Sequence, residues 1–499
     1  MEFFTIGLPA AFSLEAILYC LAGVALGTFI GVLPGLGPLA AVSLLLPITV
    51  YLDPLLSLIM LAGIYYGAEY GGAIASILLN MPGTPGNAIT CLDGYPMSQK
   101  GEAGKALFTA AASSFIGGCI GILALQLLAP SIVTVALSFG AAEYFAAILL
   151  ALIAASTISG GSVAKGLAML FGGILIGTIG TDTYTGTIRY SFGQFELMDG
   201  VTIALVALGL FAVGEVVMAI AVDREGKKFS FRMRDMYPKV GELRALLMPS
   251  LRGSAYGSFF GALPGVGPAV ATVAAYATEK NISDKPEEFG TGRVEGVAAP
   301  EAANNAAVQT AFIPALSLGI PGSATTAVML GALIMNGIIP GPKLIVNEPE
   351  LFWGLVASFW IGNILLLVLN LPLIGVWASV LRVPYKYLFP GIIAVMCAGV
   401  YSIHNSAFEV LLVLVFGLIG YGGRLLHLPL APFLLGFILG PMLEENLRRA
   451  LILAGGDFMR IASRPIAGSL LALTVLILTA VVFASLRRRR TRLVEQPEG

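Results

Sequence analysis

Charge is what this sequence has least of. Asp, Glu, Lys and Arg make up 11% of its 499 residues, while 57% are hydrophobic. A soluble domain carries about 25% charge, so an ordinary water-soluble enzyme is excluded. Formal net charge is −1, and no basic field is present to attract nucleic acid. Only four cysteines occur (Cys20, Cys91, Cys119 and Cys397), without disulfide or metal-ligand spacing. Two histidines, His404 and His427, form no His-Glu-x-x-His pair. No Gly-x-x-x-x-Gly-Lys loop or paired-Asp diphosphate motif is present, which removes the usual ATP site and two common intramembrane chemistries. No nucleophile–base–metal set is visible, so the chain does not read as an enzyme. The opening Met-Glu-Phe-Phe lacks a basic n-region, and no cleavable signal peptide is expected.

Long uncharged runs take the place of charge. Residues 16–52, 106–142, 253–278, 302–342, 351–381 and 465–486 hold no Asp, Glu, Lys or Arg. Each is long enough to cross a bilayer core of about 30 Å, which takes ~20 helical residues. The reading is an all-α polytopic membrane protein. It has about a dozen transmembrane helices, since a span and its connection take roughly 35–40 residues. A β-barrel would show alternating segments of ~10 residues instead. The first base is Lys100, and residues 1–99 carry five acids. Bases concentrate at 223–252 and at Arg487–Arg490 with Arg492, which places both stretches in the cytoplasm and the N-terminus outside. The expected order is a first transmembrane repeat (1–222), a cytoplasmic polar connection (223–245), a second repeat with additional C-terminal helices (246–486) and a basic cytoplasmic tail (487–499).

Glycine and proline are abundant, at 61 and 28 residues, and their arrangement repeats. Residues 23–38 and 253–268 share ten identities in sixteen positions at an offset of 230. Each stretch carries a small-residue face (Gly23, Gly27, Gly31; Gly253, Gly257, Gly261) for close helix contact. Each then runs into Pro-Gly-x-Gly-Pro: Pro34, Gly35, Gly37 and Pro38, then Pro264, Gly265, Gly267 and Pro268. Proline stops a helix, glycine permits positive φ, and a final proline suits the first turn of the next helix. A second pair, Gly83-Thr84-Pro85-Gly86-Asn87 and Gly319-Ile320-Pro321-Gly322-Ser323, follows at an offset of 236. A third joins Leu107-Phe108 to Leu351-Phe352 at 244. The order is collinear, as in an internal duplication, with broken or re-entrant helices at matching places. Helix N-termini carry unpaired N–H groups and bind anions without any base. Substrate contacts are therefore expected at Gly83, Thr84, Pro85, Gly86 and Asn87, and at Gly319, Pro321, Gly322, Ser323, Thr325 and Thr326. A loop at the membrane surface is the plain alternative for any one of these breaks; matched pairs with uncharged polar residues behind them favour a site.

The Gly-x-Leu-Pro-Gly-x-Gly-Pro stretches, the run from Tyr65 to Gly86 and the segment Glu295–Asn305 resemble the large membrane subunit of the tripartite tricarboxylate transporters, the TctA family. The resemblance spans roughly residues 15–450. It implies a bacterial inner-membrane, multi-pass secondary transporter, a symporter importing di- or tricarboxylates such as citrate on a Na⁺ or H⁺ gradient. It also implies a small membrane partner subunit, a periplasmic solute-binding protein and an inverted-repeat architecture. No cofactor beyond the coupling ion is implied, nor any bound metal centre.

Ionisable groups in apolar context are costly and often functional. Glu69, Glu301, Asn304 and Asn305 are the ion-coupling candidates: carboxylates repel an acid substrate at contact, and the two asparagines offer either carbonyl oxygens to Na⁺ or donors to a carboxylate. Arg293 is expected in a loop salt bridge, and Glu143, Glu215 and Glu409 at span ends. An ion-coupled transporter or a channel for another small solute is the alternative reading. Labelling of introduced cysteines is expected to place 223–252 and the basic tail on one side and the N-terminus on the other; all three on one side would overturn the inverted topology.

Overall fold

The computed structural model describes all residues except 1, 34, 50, 159–161, 183, 222–239, 381–384 and 495–499. Pro34, most of the 223–245 connection and the end of the basic tail therefore lie outside the described residues.

Helices dominate. The first set is α1 (Leu14–Val32), α2 (Pro38–Thr49), α3 (Pro54–Leu79), α4 (Thr90–Gln99) and α5 (Ala103–Ala136). Then come α6 (Ala141–Ile158), α7 (Val163–Gly177) and the helical run α8 (203–221), which contains a π-helical turn at Leu208–Val213. The later helices are α9 (Val240–Gly261), α10 (Gly267–Ile282), α11 (Glu295–Thr310), α12 (Phe312–Leu318), α13 (Ala324–Met335) and α14 (Pro349–Asn370). The last are α15 (Tyr385–His404), α16 (Ala407–Leu425), α17 (Leu430–Leu453) and α18 (Pro465–Val494). The described strands are β1 (Gly180–Thr181) and β2 (Ile188–Arg189), which pair antiparallel.

Six helices among the described residues are long and apolar enough to cross a membrane unaided: α1, α5, α14, α16, α17 and Pro465–Phe483 of α18. Others, such as α2, α7 and α13, are apolar but shorter. Proline does not end every helix here: α5 runs through Pro130 to Ala136. The chain turns at 137–140, where Gly140 N donates to Glu143 Oε2.

The chain forms two compact units. The first joins residues 1–134 with 204–421, and the second joins 135–203 with 422–499. In the first unit the glycine stripes do what their spacing predicts. A Cβ on Gly23, Gly27 or Gly31 would overlap the carbonyl of Met60, Ile64 or Ala68 on α3. Gly63, Gly67 and Gly71 of α3 face α1 in return. The same contact recurs between α9 and α11, where Gly253, Gly257 and Gly261 meet the carbonyls of Ala299, Ala303 and Ala307. Backbones that close leave no room for side chains, so van der Waals contact replaces a hydrophobic drive that lipid does not supply.

The second unit uses the same device. Gly173 and Gly177 of α7 meet the carbonyls of Phe433 and Phe437, and Gly436 of α17 meets that of Leu170. The β-hairpin is pinned by charge: Arg189 pairs with Asp182 and with Glu444 (3.0 Å), and Arg448 bonds Asp182 at 3.1 Å. Glu143 of α6 is paired with Arg464 at 2.7 Å.

Because the clash would be with backbone, Gly27→Val and Gly257→Val are each expected to cost roughly 3 kcal/mol or more, the upper end of overpacking. Gly422→Ala, which meets open space, is expected to be neutral. Thermal unfolding of the detergent-purified variants measures the contrast.

Candidate functional site

The broken helices gather on one turn of α3. At its C-terminus Asn80 adopts φ 57 and ends the helix. Gly319, at φ 71, ends α12 in the same way. The left-handed residue is thus asparagine in one half and glycine in the other, tolerated because both types visit this region. At the earlier breaks Gly35 (φ 93) and Gly265 (φ 76) supply the expected positive φ. Pro38 and Pro268 open the following helices as expected. Gly37 and Gly267 lie beside the second pair of breaks, close to the Gly83 carbonyl and Ser323 Cβ respectively. Gly265 N donates to Pro321 O at 3.2 Å. Pro264 precedes that bond in the turn.

The hydrogen bonds set a register different from the Gly-x-Pro-Gly alignment. Asn87 N donates to Thr84 Oγ1 at 3.2 Å, and Thr326 N donates to Ser323 Oγ at 3.2 Å. Thr84 therefore matches Ser323, and Asn87 matches Thr326, at 239 positions rather than 236. Asn80 and Gly319 keep the same spacing, as do the carbonyls met by the glycine stripes, so nine residues are inserted between Pro268 and Ala299. The motif alignment misses this because Pro-Gly occurs twice in Pro82-Gly83-Thr84-Pro85-Gly86 and only once near Ser323. Structurally, Pro82-Gly83-Thr84 corresponds to Pro321-Gly322-Ser323. Gly83 and Gly322 serve close approach: a Cβ would strike Gly72 in the first case and Ala311 in the second.

The two breaks differ in chemistry. At the second, Ser323 caps α13 in a reciprocal box with Thr326: Thr326 N donates to Ser323 Oγ, and Ser323 N donates to Thr326 Oγ1 at 2.9 Å. That occupies two first-turn donors and leaves the amides of Ala324 and Thr325. Tyr65 hydroxyl lies 3.3 Å from Ser323 Oγ. Ser323, Thr325 and Thr326 are buried. This end is rich in donors.

The first break is rich in acceptors. Thr84 Oγ1 lies 2.7 Å from Glu69 Oε2, and Asn304 Nδ2 donates to the same oxygen at 2.9 Å. Asn87 Nδ2 donates to Glu301 Oε1 at 3.0 Å, joined there by Thr90 Oγ1 at 2.5 Å, while Ser114 Oγ donates to Glu301 Oε2 at 3.1 Å. Gly86 packs against the Asn304 amide, and Pro85 precedes a 3-10 turn at Gly86–Ala88. Glu69 is 3% and Glu301 0% exposed, and among the described residues no Lys, Arg or His bonds either carboxylate. Of the four ion-coupling candidates, three meet in this network. Asn305 does not; its Nδ2 donates to the Glu301 carbonyl within α11. Tyr65 and Glu69 are four residues apart, about 6 Å along one face, so a single turn of α3 touches both breaks.

Sequence reasoning missed Asp93. It is buried on α4 and accepts bonds from Gly290 N (3.0 Å), Gly292 N (2.7 Å), Arg293 N (2.7 Å) and Tyr276 hydroxyl (2.8 Å). The signal was present: Gly290 and Gly292 both take positive φ, as a chain wrapping an anion requires. Arg293 forms the expected loop bridges, to Glu288 at 2.7 Å and Glu295 at 2.8 Å. Lys285 and Arg293 together hold the Glu288 carboxyl below its ordinary range. Thr90 and Ser114 were also missed, being hydroxyls in apolar runs that only folding brings to Glu301.

A helical membrane protein with duplicated glycine-packed helix pairs and buried helix breaks is the class this architecture defines. The chain belongs to the tripartite tricarboxylate transporter TctA family, whose model matches residues 17–435. It is 47% identical over 488 residues to an uncharacterized 52.8 kDa protein encoded in the TAR-I ttuC' 3' region of Agrobacterium vitis. That match covers 98% of this chain and 97% of the relative. A second A. vitis protein, from the TAR-II ttuC' 3' region and also described as uncharacterized, is 50% identical over 234 residues, covering 47% of this chain and 97% of that protein.

Asp93→Ala would leave four donors without their acceptor, of which the Gly290, Gly292 and Arg293 amides are only partly buried. It is expected to destabilise the first unit by about 1–3 kcal/mol. Limited proteolysis within 283–294 should accelerate at least tenfold in the variant; an unchanged rate would show that the loop is held by other contacts.

Proposed function

We propose that this chain is the permease subunit of a secondary transporter importing di- or tricarboxylates such as citrate. Family membership supports the transporter class. The observation that carries the substrate reading is the contrast between the breaks. The α13 N-terminus offers two unspent amides with the Ser323, Thr325 and Tyr65 hydroxyls about it, and among the described residues it has no carboxylate partner. An acid group is favoured there by the end of the helix dipole. The first break faces Glu69 and Glu301 and repels an anion, so of the residues expected to touch substrate, those at 319–326 suit the acid better than those at 83–87.

Buried carboxylates without a basic partner need a countercharge. A coupling cation, Na⁺ or H⁺, supplies it within this network, and its gradient drives symport. The repeated contacts at 239 positions support two structural repeats. Their inverted orientation, a total of about twelve spans and an inner-membrane location belong to the same proposal. So do the two partners implied by a tripartite system: a small membrane subunit and a periplasmic solute-binding protein that delivers the acid.

Uptake of a panel of radiolabelled carboxylates into vesicles holding all three components, with Na⁺ and pH gradients imposed separately, tests this reading. Ser323→Ala is expected to weaken apparent affinity about tenfold, ~1.4 kcal/mol, with normal membrane insertion. Gradient-independent uptake would assign a channel instead, and uptake of none of the acids would reject the substrate class.

A further inference from the structure

Buried oxygens at the first break outnumber the hydrogens available to them. Thr84 Oγ1 lies 2.7 Å from Glu69 Oε2 and 2.7 Å from Asn87 Oδ1. A hydroxyl has one hydrogen, so only one of those oxygens receives it. Asn87 N already donates to the same hydroxyl, and Asn87 Nδ2 is committed to Glu301. The Asn304 amide shows the same excess. Its Nδ2 serves Glu69, while its Oδ1, on a residue 0% exposed, has no hydrogen-bond partner. That oxygen lies against Gly86, next in sequence to Asn87. Glu301 is unlike this: three donors, from Thr90, Asn87 and Ser114, already converge on it.

The geometry points to a binding site for a dehydrated Na⁺-sized monovalent cation at Glu69, Thr84, Asn87 and Asn304. One carboxylate with neutral amide and hydroxyl oxygens is the donor set of a hard, singly charged ion. Among the described residues no three His, Cys, Asp or Glu side chains gather as a transition-metal site would need. A proton on Glu69 would repair the Glu69–Thr84–Asn87 chain but leave Asn304 Oδ1 bare, whereas a metal ion satisfies both. Glu301 then acts as a positioning residue: it orients Asn87 by accepting the hydrogen bond from Asn87 Nδ2. The site joins α3, the 83–88 break and α11. One turn away on α3, Tyr65 touches Ser323, so an ion that orders this turn favours the donor-rich end as well. That coupling rests on the transport reading above; the ion site does not.

Purified full-length protein in nanodiscs, without any organic acid, provides the test. Thermal midpoint and ²²Na⁺ binding are followed against NaCl, with choline chloride at equal ionic strength and at several pH values. The expected result is saturable Na⁺ binding with a rise in midpoint specific to Na⁺. Asn304→Ala and Glu69→Gln should each weaken Na⁺ affinity at least tenfold, while Asn304→Asp, which keeps an oxygen in place, retains binding. Identical curves in Na⁺ and choline would overturn the site on wild-type protein alone, whatever the variants do. Stabilisation that follows pH and ignores Na⁺, or wild-type Na⁺ affinity in Asn304→Ala, would overturn it too. If Na⁺ binds as expected and no carboxylate is taken up in vesicles, the transport reading fails and the ion site stands.

Discussion

The bridge from Glu69 to Thr84 and Asn304 is the interaction on which the rest of the first unit depends. It joins a long helix, an interrupted segment and the matching helix of the other half through one buried carboxyl group. Non-helical backbone away from water survives only where protein satisfies it. Here the Asn87 amide is taken by Thr84 within the break, and Glu69 of α3 and Glu301 of α11 hold the Thr84 and Asn87 side chains in place. The bridge also gives the two breaks opposite characters, because it crowds acceptors at one and leaves donors at the other.

Glycine packing makes that bridge possible. With α1 tight on α3 and α9 tight on α11, the central helices carry glycine and alanine toward their neighbours on one side. Their larger polar residues, Tyr65, Glu69, Glu301 and Asn304, turn to the break segments. The aromatic group of Tyr66, Phe312 and Phe359, with ring centroids 4.9–6.5 Å apart, fills the space beside them. The polar cluster is thereby sealed from water, which raises the worth of each hydrogen bond and the cost of each unmade one.

Asp93 extends the same logic to a surface. Four donors closing on one carboxylate tie α4 to α10 and to the loop ahead of α11, so the segment after the first break is anchored to the other half at its far end too. The first break is held at both ends, and the second mainly by its own capping box. That asymmetry arises within segments whose glycine contacts are alike.

The membrane class, the glycine stripes, the positions of the breaks and the duplicated order were legible in the sequence, because each rests on local rules: apolar run length, small-residue spacing and the backbone limits of proline and glycine. Glu69, Glu301 and Asn304 stood out for a similar reason, as polar groups in apolar surroundings. What the sequence could not decide was which groups meet. Thr90, Ser114 and Asp93 are ordinary residues until tertiary contacts bring them to partners roughly 190–210 positions away. The three-residue correction in register came from hydrogen bonds, since two Pro-Gly steps in one half matched a single step equally well. The unlike chemistry of the two breaks was likewise set by folding: similar segments acquire different character when one is placed beside two carboxylates and the other beside a tyrosine hydroxyl.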